Sequence, residues 1–209
     1  MEPKNLYGRD FFALETKSTA LLVVDMQNDF VEQGGSFTSF PKSIGIIPNI
    51  EKIISFARSN FIPVIWTLCD HGPPGGGLLL KKFPPIRDQK VLWLNTKSFE
   101  LYPRMTQPLP SEYKIIKPKY DAFFGTNLES ILKNLRTESL IIMGISTEVC
   151  CESTARSAFH RDFQVAFVSD ATATRTDEAH NATLRAIDNY FGRVLTTEEL
   201  LSELAESKR

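Results

Sequence analysis

Short apolar runs alternate with longer amphipathic stretches along most of the chain. Each run has the length of a strand that is buried on both faces, and each stretch spaces its apolar residues as a helix does. The strands predicted in this way are 20–24, 61–68, 113–116, 139–143, 164–168 and 193–195. The predicted helices are 46–60, 127–135, 148–162, 177–190 and 197–206.

Strands separated by helices predict parallel βαβ units, and continuous apolar strands predict a sheet covered on both faces. The pattern therefore indicates an α/β fold: a three-layer, doubly wound, Rossmann-like sheet of six parallel strands with helices on both faces. Residues 1–17 are predicted to form an N-terminal arm, and 18–209 a single domain. The irregular segment 69–110 contains a glycine-rich run, which suits either a lid or a mobile surface loop.

The composition fits one domain and argues against several classes of protein. The 209 residues, 42% of them hydrophobic, suffice for one substantial core. With 24 basic and 25 acidic residues, the net charge of −1 gives no broad field for nucleic acid or an anionic membrane. Three cysteines do not indicate a disulfide framework, and the sequence predicts neither a leader peptide nor a membrane span. We therefore expect a cytoplasmic protein with free thiols.

Ligands of open parallel sheets bind beyond the carboxyl ends of the strands, so the residues after each strand are the candidates for chemistry. These candidates are Asp25, Asp70, Lys117, the segment 144–150 and Asp170.

Of two adjacent cysteines, Cys150 is the candidate nucleophile. It falls in the first turn of a predicted helix for which Ser146 or Thr147 is a natural cap. Free amides and the helix dipole favour an anion there, so we expect a lowered thiol pKa at Cys150. A helical wheel places Cys151 on the apolar face that packs on the sheet. A structural role for Cys150 stays open, because free cysteines are commonly buried packing residues.

A thiol nucleophile needs a base, and the usual histidine partner is hard to identify. His160 and His180 lie in predicted helices, where they suit a solvated face, and His71 lies in the irregular segment, where it contacts either substrate or solvent. A carboxylate can serve instead, with a lysine that favours the thiolate and stabilises an oxyanion. Lys117 fits because it ends a strand. Spacing alone does not choose among the three aspartates, and a capping aspartate and a solvated lysine remain alternatives.

Three segments resemble the isochorismatase-like cysteine hydrolase family, in the family's order and at its usual separations. They are 21–30 (LLVVDMQNDF), 117–124 (KPKYDAFF) and 144–156 (GISTEVCCESTAR). The resemblance extends from about Ser18 to Leu204. It implies a six-stranded parallel sheet and a catalytic triad of Asp25, Lys117 and Cys150.

The same resemblance implies how the substrate is held. A non-proline cis peptide would join Ile145 to Ser146, and would aim the amide of Ser146, with that of Cys150, at the substrate oxyanion. The substrate-binding residues expected from the resemblance and from loop position are Phe30, Phe123, Phe124, Tyr120 and His71.

The resemblance also bears on the reaction. The retained cysteine argues for hydrolysis of a C–N bond, since members that split the vinyl ether of isochorismate lack it. The stretch 117–126 looks most like ureidoacrylate and N-carbamoyl amidohydrolases, which implies a small amide or ureide substrate and a covalent thioacyl intermediate. Nicotinamidases carry a metal site written Asp-x-His with a further histidine. Asp70 and His71 are adjacent here and the next histidine is His160, so no metal and no cofactor are expected.

Two positions depart from the family pattern: Glu148 stands where many members have asparagine, and Cys151 where many have valine. Glu148 adds a negative charge near the thiolate.

Three alternative functions stay open: a vinyl-ether hydrolase, a nicotinamidase-like amidase without the metal site, and a non-catalytic scaffold. No Gly-x-Gly-x-x-Gly follows a strand, which argues against a dinucleotide-binding domain. The resemblance implies a homodimer or homotetramer. No nucleic-acid or membrane partner is expected.

Overall fold

Six parallel strands form one sheet in the computed structural model, which describes residues 12–32, 40 and 42–207. The spatial order is β3-β2-β1-β4-β5-β6. The strands are β1 (Thr19–Val24), β2 (Val64–Cys69), β3 (Tyr113–Lys117), β4 (Ser139–Ile145), β5 (Gln164–Ala173) and β6 (Arg193–Leu195). The helices are α1 (Asn28–Val31), α2 (Ser43–Ser59), α3 (Gly77–Lys82), α4 (Pro84–Asp88), α5 (Leu128–Asn134), α6 (Glu152–Phe159), α7 (Asp177–Tyr190) and α8 (Thr197–Glu206).

The central strand β1 shows why the sheet is covered on both faces. Leu21 and Val23 belong to one buried cluster with α2 and α8, while Leu22 and Val24 belong to a second cluster with α5 and α6. Successive side chains of a strand point to opposite faces, so one continuous apolar run supplies both cores. The three-layer α/β prediction is confirmed. The strand order reverses between β1 and β4, and Asp25 and Ser146 follow these two strands.

Some element boundaries differ from the predicted ones. Strand β2 begins at Val64 rather than at residue 61, because Phe61 has a φ of +56° and is 93% exposed in a turn. The predicted helix 148–162 is divided into a π-helical turn, Thr147–Cys151, and α6. The segment 69–110 is not structureless, since it contains α3 and α4 and buries Leu92 against the α2-side core.

The predicted N-terminal arm lies partly outside the described residues, which begin at Phe12. Leu14 is buried, and its N–H donates to Glu203 Oε1 at 2.9 Å. The Phe12 carbonyl accepts from Arg193 Nη1 at 2.6 Å. Residues 12–14 therefore pack on β6 and α8, and the division into arm and domain stays a prediction. Among the described helices, none is long and apolar enough to span a membrane.

Candidate active site

Asp25 directly follows β1 and turns the chain out of the sheet. Its φ is +51°, a left-handed conformation that aspartate tolerates better than most residues. Its N–H donates to the Thr67 carbonyl at 3.2 Å, and its carbonyl accepts from Gln27 N at 2.7 Å. The carboxylate is fully buried, and Thr67 Oγ1 donates to its Oδ1 at 2.6 Å. The turn therefore fixes both the backbone and one oxygen of Asp25.

Lys117 ends β3 and forms a buried ion pair with Asp25. The Nζ–Oδ2 distance is 2.7 Å, and neither side chain has any solvent exposure. Lys117 Nζ also donates to the carbonyls of Lys119 at 3.1 Å and Tyr120 at 2.9 Å. The ion pair and the two backbone hydrogen bonds hold the ammonium in place. Lys117 therefore supplies a fixed positive charge to the site.

Burial affects the pKa of both Asp25 and Lys117. It raises the pKa of Asp25, and the nearby charge of Lys117 offsets this effect only in part. Burial alone would lower the pKa of Lys117, but Asp25 and the neighbouring thiolate charge raise it well above its usual range. Lys117 is therefore cationic, and Asp25 is a stronger base than an exposed aspartate.

Cys150 lies in the π-helical turn that follows β4. The peptide between Ile145 and Ser146 is cis, and the Ser146 carbonyl accepts from Val149 N at 3.2 Å and Cys151 N at 3.1 Å. The expected side-chain cap is wrong, because Ser146 makes no such bond. As predicted, Cys151 is fully buried in the core, and burial, Asp25 and Glu148 raise its pKa well above the usual value.

Gly144 allows β4 to approach β1 just before this turn. Its φ is +121°, and a Cβ at this position would lie 2.1 Å from the Val24 carbonyl oxygen. A side chain here would therefore separate the strand ends that carry Asp25 and Ser146.

The ionisation of Cys150 is linked to that of Cys69, at the end of β2. The interaction with Cys69 and burial raise the pKa of Cys150 well above its usual range, although Lys117 acts in the opposite direction. The interaction with Cys150 lowers the pKa of Cys69. The lowered pKa predicted for Cys150 is therefore wrong, because burial in the core opposes its ionisation.

Cys69 is a residue of the site that sequence reasoning missed. Its Sγ lies 2.9 Å from His71 Nε2. Gln27 holds its backbone, because Cys69 N donates to Gln27 Oε1 at 2.8 Å and Gln27 Nε2 donates to the Cys69 carbonyl at 3.1 Å. Cys69 directly follows the predicted strand 61–68, and this position is the sequence signal that could have identified it. At this strand end, Asp70 is the only residue named as a candidate from the sequence.

A cavity of about 340 Å³ opens in front of Cys150. Its walls are mainly apolar, and Arg175 adds a cation whose guanidinium lies 5.2 Å from the ring centroid of Phe40. The cavity is lined by five residues predicted for the site, Phe30, His71, Tyr120, Ser146 and Cys150, and by Phe40, Leu79, Phe83, Ile86, Val149 and Arg175, which were not predicted. A larger groove of about 580 Å³ lies where β5 and β6 begin, and none of the triad residues lines it.

Phe123 and Phe124 do not line this cavity, so their predicted place in it is wrong. Phe123 is buried and stacks on Phe163 with ring centroids 5.9 Å apart. Phe124 is 58% exposed. The loop after β3 presents Tyr120 to the cavity and turns Phe123 into the core beneath it.

Within residues 12–32, 40 and 42–207, no group of three or more His, Cys, Asp or Glu side chains is placed to hold a metal ion. Glu148 Oε1 accepts from Thr174 Oγ1 at 2.6 Å. His180 Nδ1 contacts Thr147 Oγ1 at 3.0 Å, and His160 packs edge-on against Phe159. Neither of these two histidines lines the cavity.

Comparison with known proteins places this site in a family. The family model described as the isochorismatase domain matches residues 19–199. The chain belongs to the isochorismatase family. A probable inactive nicotinamidase from Arabidopsis thaliana is 34% identical to this family member over 192 residues, which cover 90% of this chain and 97% of that protein. The ureidoacrylate amidohydrolase RutB from Methylorubrum extorquens is 31% identical over 201 residues, covering 87% of this chain and 81% of that protein.

The fold of this isochorismatase-family protein is found in solved structures. A cysteine hydrolase from Pseudomonas syringae pv. phaseolicola superposes with a TM-score of 0.88 at 25% sequence identity, covering 94% of this chain and 96% of that chain. The family match and the named hydrolases among its relatives make the chain a hydrolase.

Proposed function

We propose that the protein hydrolyses a C–N bond in a small linear amide, ureide or N-carbamoyl compound through a thioacyl intermediate on Cys150. One observation carries the proposal: a fully buried ion pair of Asp25 and Lys117 lies behind a cysteine that faces an apolar cavity. A buried pair of this kind stabilises a fold weakly, which favours a chemical role.

Asp25 is the proton acceptor in the proposed reaction. In the first step, the Asp25 carboxylate takes the thiol proton of Cys150 and the thiolate attacks the substrate carbonyl. The raised pKa of Asp25 supports this role. It brings the proton affinity of the carboxylate closer to that of the thiol than the proton affinity of an exposed aspartate would be. Lys117 keeps the second Asp25 oxygen and the thiolate in a positive field.

The amides of Ser146 and Cys150 are proposed to hold the oxyanion, as backbone donors do in other acyl-transfer enzymes. Protonated Asp25 then donates its proton to the leaving nitrogen. A water molecule, activated by the same carboxylate, hydrolyses the thioester or thiocarbamate and frees Cys150.

The cavity supports a substrate with one polar end. His71 Nδ1 is buried and has no hydrogen-bond partner among the described residues, while its ring lines the cavity. It is therefore available for a substrate carbonyl or amide. Arg175 also lines the cavity, and its positive charge favours a carboxylate there. The relative named as a ureidoacrylate amidohydrolase supports such a substrate. We also propose that the protein uses no metal or cofactor, that it assembles as a homodimer or homotetramer, and that it is located in the cytoplasm.

A panel of substrates tests the reaction. We expect ammonia release from N-carbamoyl amino acids or short ureides, and not from isochorismate or nicotinamide. A rapid-quench mass spectrum should show the acyl group on Cys150. Cys150→Ala should abolish turnover with an unchanged circular dichroism spectrum, whereas Cys151→Val, a core change, should retain it. Ammonia release by Cys150→Ala at the wild-type rate would contradict the proposal. Inactivity on the whole panel would favour a non-catalytic scaffold.

A further inference from the structure

Helix α7 contacts the π-helical turn that carries Cys150, and the proposed hydrolysis gives this contact no role. His180 Nδ1 lies 3.0 Å from the Oγ1 atom of Thr147, the first residue of the turn. A hydroxyl both donates and accepts, so the two groups form a hydrogen bond whether or not Nδ1 carries a proton. Thr147 has no solvent exposure, which keeps bulk water from replacing the imidazole. One side chain of α7 therefore holds the start of the turn.

Two further side-chain hydrogen bonds secure the neighbourhood of this contact. On α7, Thr183 Oγ1 donates to Oε2 of Glu152, the first residue of α6, at 2.6 Å. Just after β5, Thr174 Oγ1 donates to Glu148 Oε1 at 2.6 Å. Residues three apart share a helix face, so His180 and Thr183 face the turn and the start of α6 together. The His180 bond reaches the turn itself, whereas the Thr183 bond reaches the helix after it.

Thr147 determines the shape of the turn because it both begins and closes it. The Thr147 carbonyl accepts from Glu152 N, and the Ser146 carbonyl accepts from Cys151 N at 3.1 Å. Cys150 lies between the residues that these two bonds join. Single π-helical turns are rare, and they frequently lie at functional sites. A shift of Thr147 would therefore move the thiol and the amides that the proposed hydrolysis places around the substrate.

We propose that His180 is a positioning residue for the nucleophile: its bond to Thr147 holds the π-helical turn in the shape that presents Cys150 to the cavity. Reacting groups must be held close to their productive geometry by residues that are themselves fixed by packing and hydrogen bonds. His180 does not line the cavity, so it acts through Thr147. The kinetic consequence of this inference rests on the proposed function.

A contact that only stabilises the fold would have different effects. Its loss would lower the free energy of unfolding and leave kcat of the folded enzyme unchanged. Loss of a positioning contact lowers kcat in the folded enzyme, because the nucleophile and the oxyanion donors no longer match the transition state. KM should change little, because the apolar side chains that line the cavity remain in place.

Two substitutions at one position test the proposal with an N-carbamoyl amino acid as substrate. His180→Leu removes the hydrogen bond and keeps an apolar side chain. We expect its kcat to fall about 10- to 100-fold, as for a misplacement of about 1 Å, with KM nearly constant. His180→Asn places an amide where Nδ1 lies, which can bond to the Thr147 hydroxyl in either direction, and should restore most of the rate. Wild-type kcat in a folded His180→Leu protein would overturn the proposal, as would equal losses in both variants.

Thr183→Val is the matched control, because it removes a hydrogen bond from α7 to α6 and keeps the bond to Thr147. Its kcat should stay close to that of wild type. Thr147→Val removes the proposed bond from the other side. Combined with His180→Leu, it should therefore cost little more than either substitution alone. Fully additive losses would show that the two residues act independently and would contradict the proposal.

Hydrogen–deuterium exchange tests the geometry without any substrate. In His180→Leu, the peptide that contains 147–151 should exchange faster than in wild type, while the peptide that contains β1 should not. His180→Asn and Thr183→Val should exchange as wild type does in the turn. Unchanged exchange in His180→Leu would overturn the inference even if the enzyme is an amidase. If no substrate is hydrolysed, the proposed function fails, and the exchange rates still decide whether His180 holds the turn.

Discussion

At Asp25, a carboxylate without solvent exposure lies beside an ammonium that has none either. Removing an ion from water costs several kcal/mol, and only partners of good geometry offset this cost. Here the Thr67 hydroxyl donates to Asp25, and the carbonyls of Lys119 and Tyr120 accept from Lys117. Apolar side chains of the same size would stabilise the fold at least as well. The charges are therefore explained by chemistry rather than by stability.

Asp25→Asn should abolish turnover and destabilise the protein. It removes the anion and leaves Lys117 buried without its partner, which costs about 3–5 kcal/mol. Urea unfolding and ammonia release measure the two effects. Thr67→Val is the control, because it deletes one hydrogen bond to Asp25 Oδ1, keeps the ion pair, and should cost about 1–3 kcal/mol. Wild-type stability and turnover in Asp25→Asn would contradict this account of the pair.

The other two aspartates explain why spacing alone did not identify Asp25. Asp70 Oδ1 accepts from Gly72 N at 2.8 Å and Leu94 N at 3.1 Å, and Asp170 Oδ1 accepts from Thr197 N and Oγ1 at 2.8 and 2.7 Å. Both therefore hold loops and helix starts, as capping residues do. All three follow strands, and only the sequence resemblance distinguished Asp25. Cys69 ends β2 and Cys150 lies in the turn after β4, so local sequence gives no signal that the two belong to one site.

For the helices and strands, the predictions were accurate where the spacing of apolar residues was regular. Helices α7 and α8 begin and end where the pattern predicts, because Thr176 and Thr196 cap them with their side chains and their apolar faces keep a helical period. The π-helical turn at Thr147–Cys151 was missed, because a periodicity of 3.6 residues assumes an α-helix throughout.

Gly144→Ala should disrupt the junction between β4 and the π-helical turn. A Cβ would meet the Val24 carbonyl at 2.1 Å, at a φ of +121° that alanine avoids. We expect a loss of at least about 3 kcal/mol in the free energy of unfolding. Gly45→Ala in α2 is the matched control: nothing lies within 4 Å of its added Cβ, and it should stabilise by about 0.5–1 kcal/mol. Equal effects from the two substitutions would refute the steric argument.

Glu112 connects α2, β2 and the loop before β3 through one carboxylate. It accepts hydrogen bonds from Arg58 of α2 at 2.8 and 3.0 Å, from Trp66 Nε1 of β2 at 2.8 Å and from Leu109 N at 3.0 Å. Burial opposes ionisation, but Arg58 and these donors outweigh it and lower the pKa of Glu112 in the folded protein.

Glu112→Gln should therefore destabilise the protein in a way that depends on pH. A lowered folded pKa contributes stability above the unfolded pKa, and this contribution is lost as pH falls through the folded pKa. We expect a deficit of about 1–2 kcal/mol at neutral pH that shrinks in acid, measured by urea unfolding across a pH series. Asp88→Asn removes an exposed ion pair with Arg87 and should change nothing measurable. A deficit that stays constant with pH would exclude this linkage.

The whole molecule has a net charge of −1, but one part of its surface carries a cluster of positive charges. A groove of about 640 Å³ adjoins the active-site cavity, and the two share Leu79, Phe83 and Tyr120. This groove is lined by the lysines Lys81, Lys82 and Lys119, and Arg175 continues the positive charge inside the cavity. A cluster of one sign beside an opening attracts oppositely charged ligands even on a nearly neutral protein.

The proposed anionic substrate should therefore react in a salt-dependent manner. Between low salt and about 1 M, the Debye length falls from about 30 Å to about 3 Å, so attraction by the groove lysines is screened. We expect kcat/KM for an N-carbamoyl amino acid to fall on the order of tenfold, with kcat nearly constant. The neutral amide of the same compound is the control and should respond little. Replacing Lys81 and Lys82 with glutamine should flatten the dependence for the anion, because both side chains are exposed at the groove and neither touches Cys150. If the acid and its amide respond equally to salt, the groove does not select the charge of the substrate.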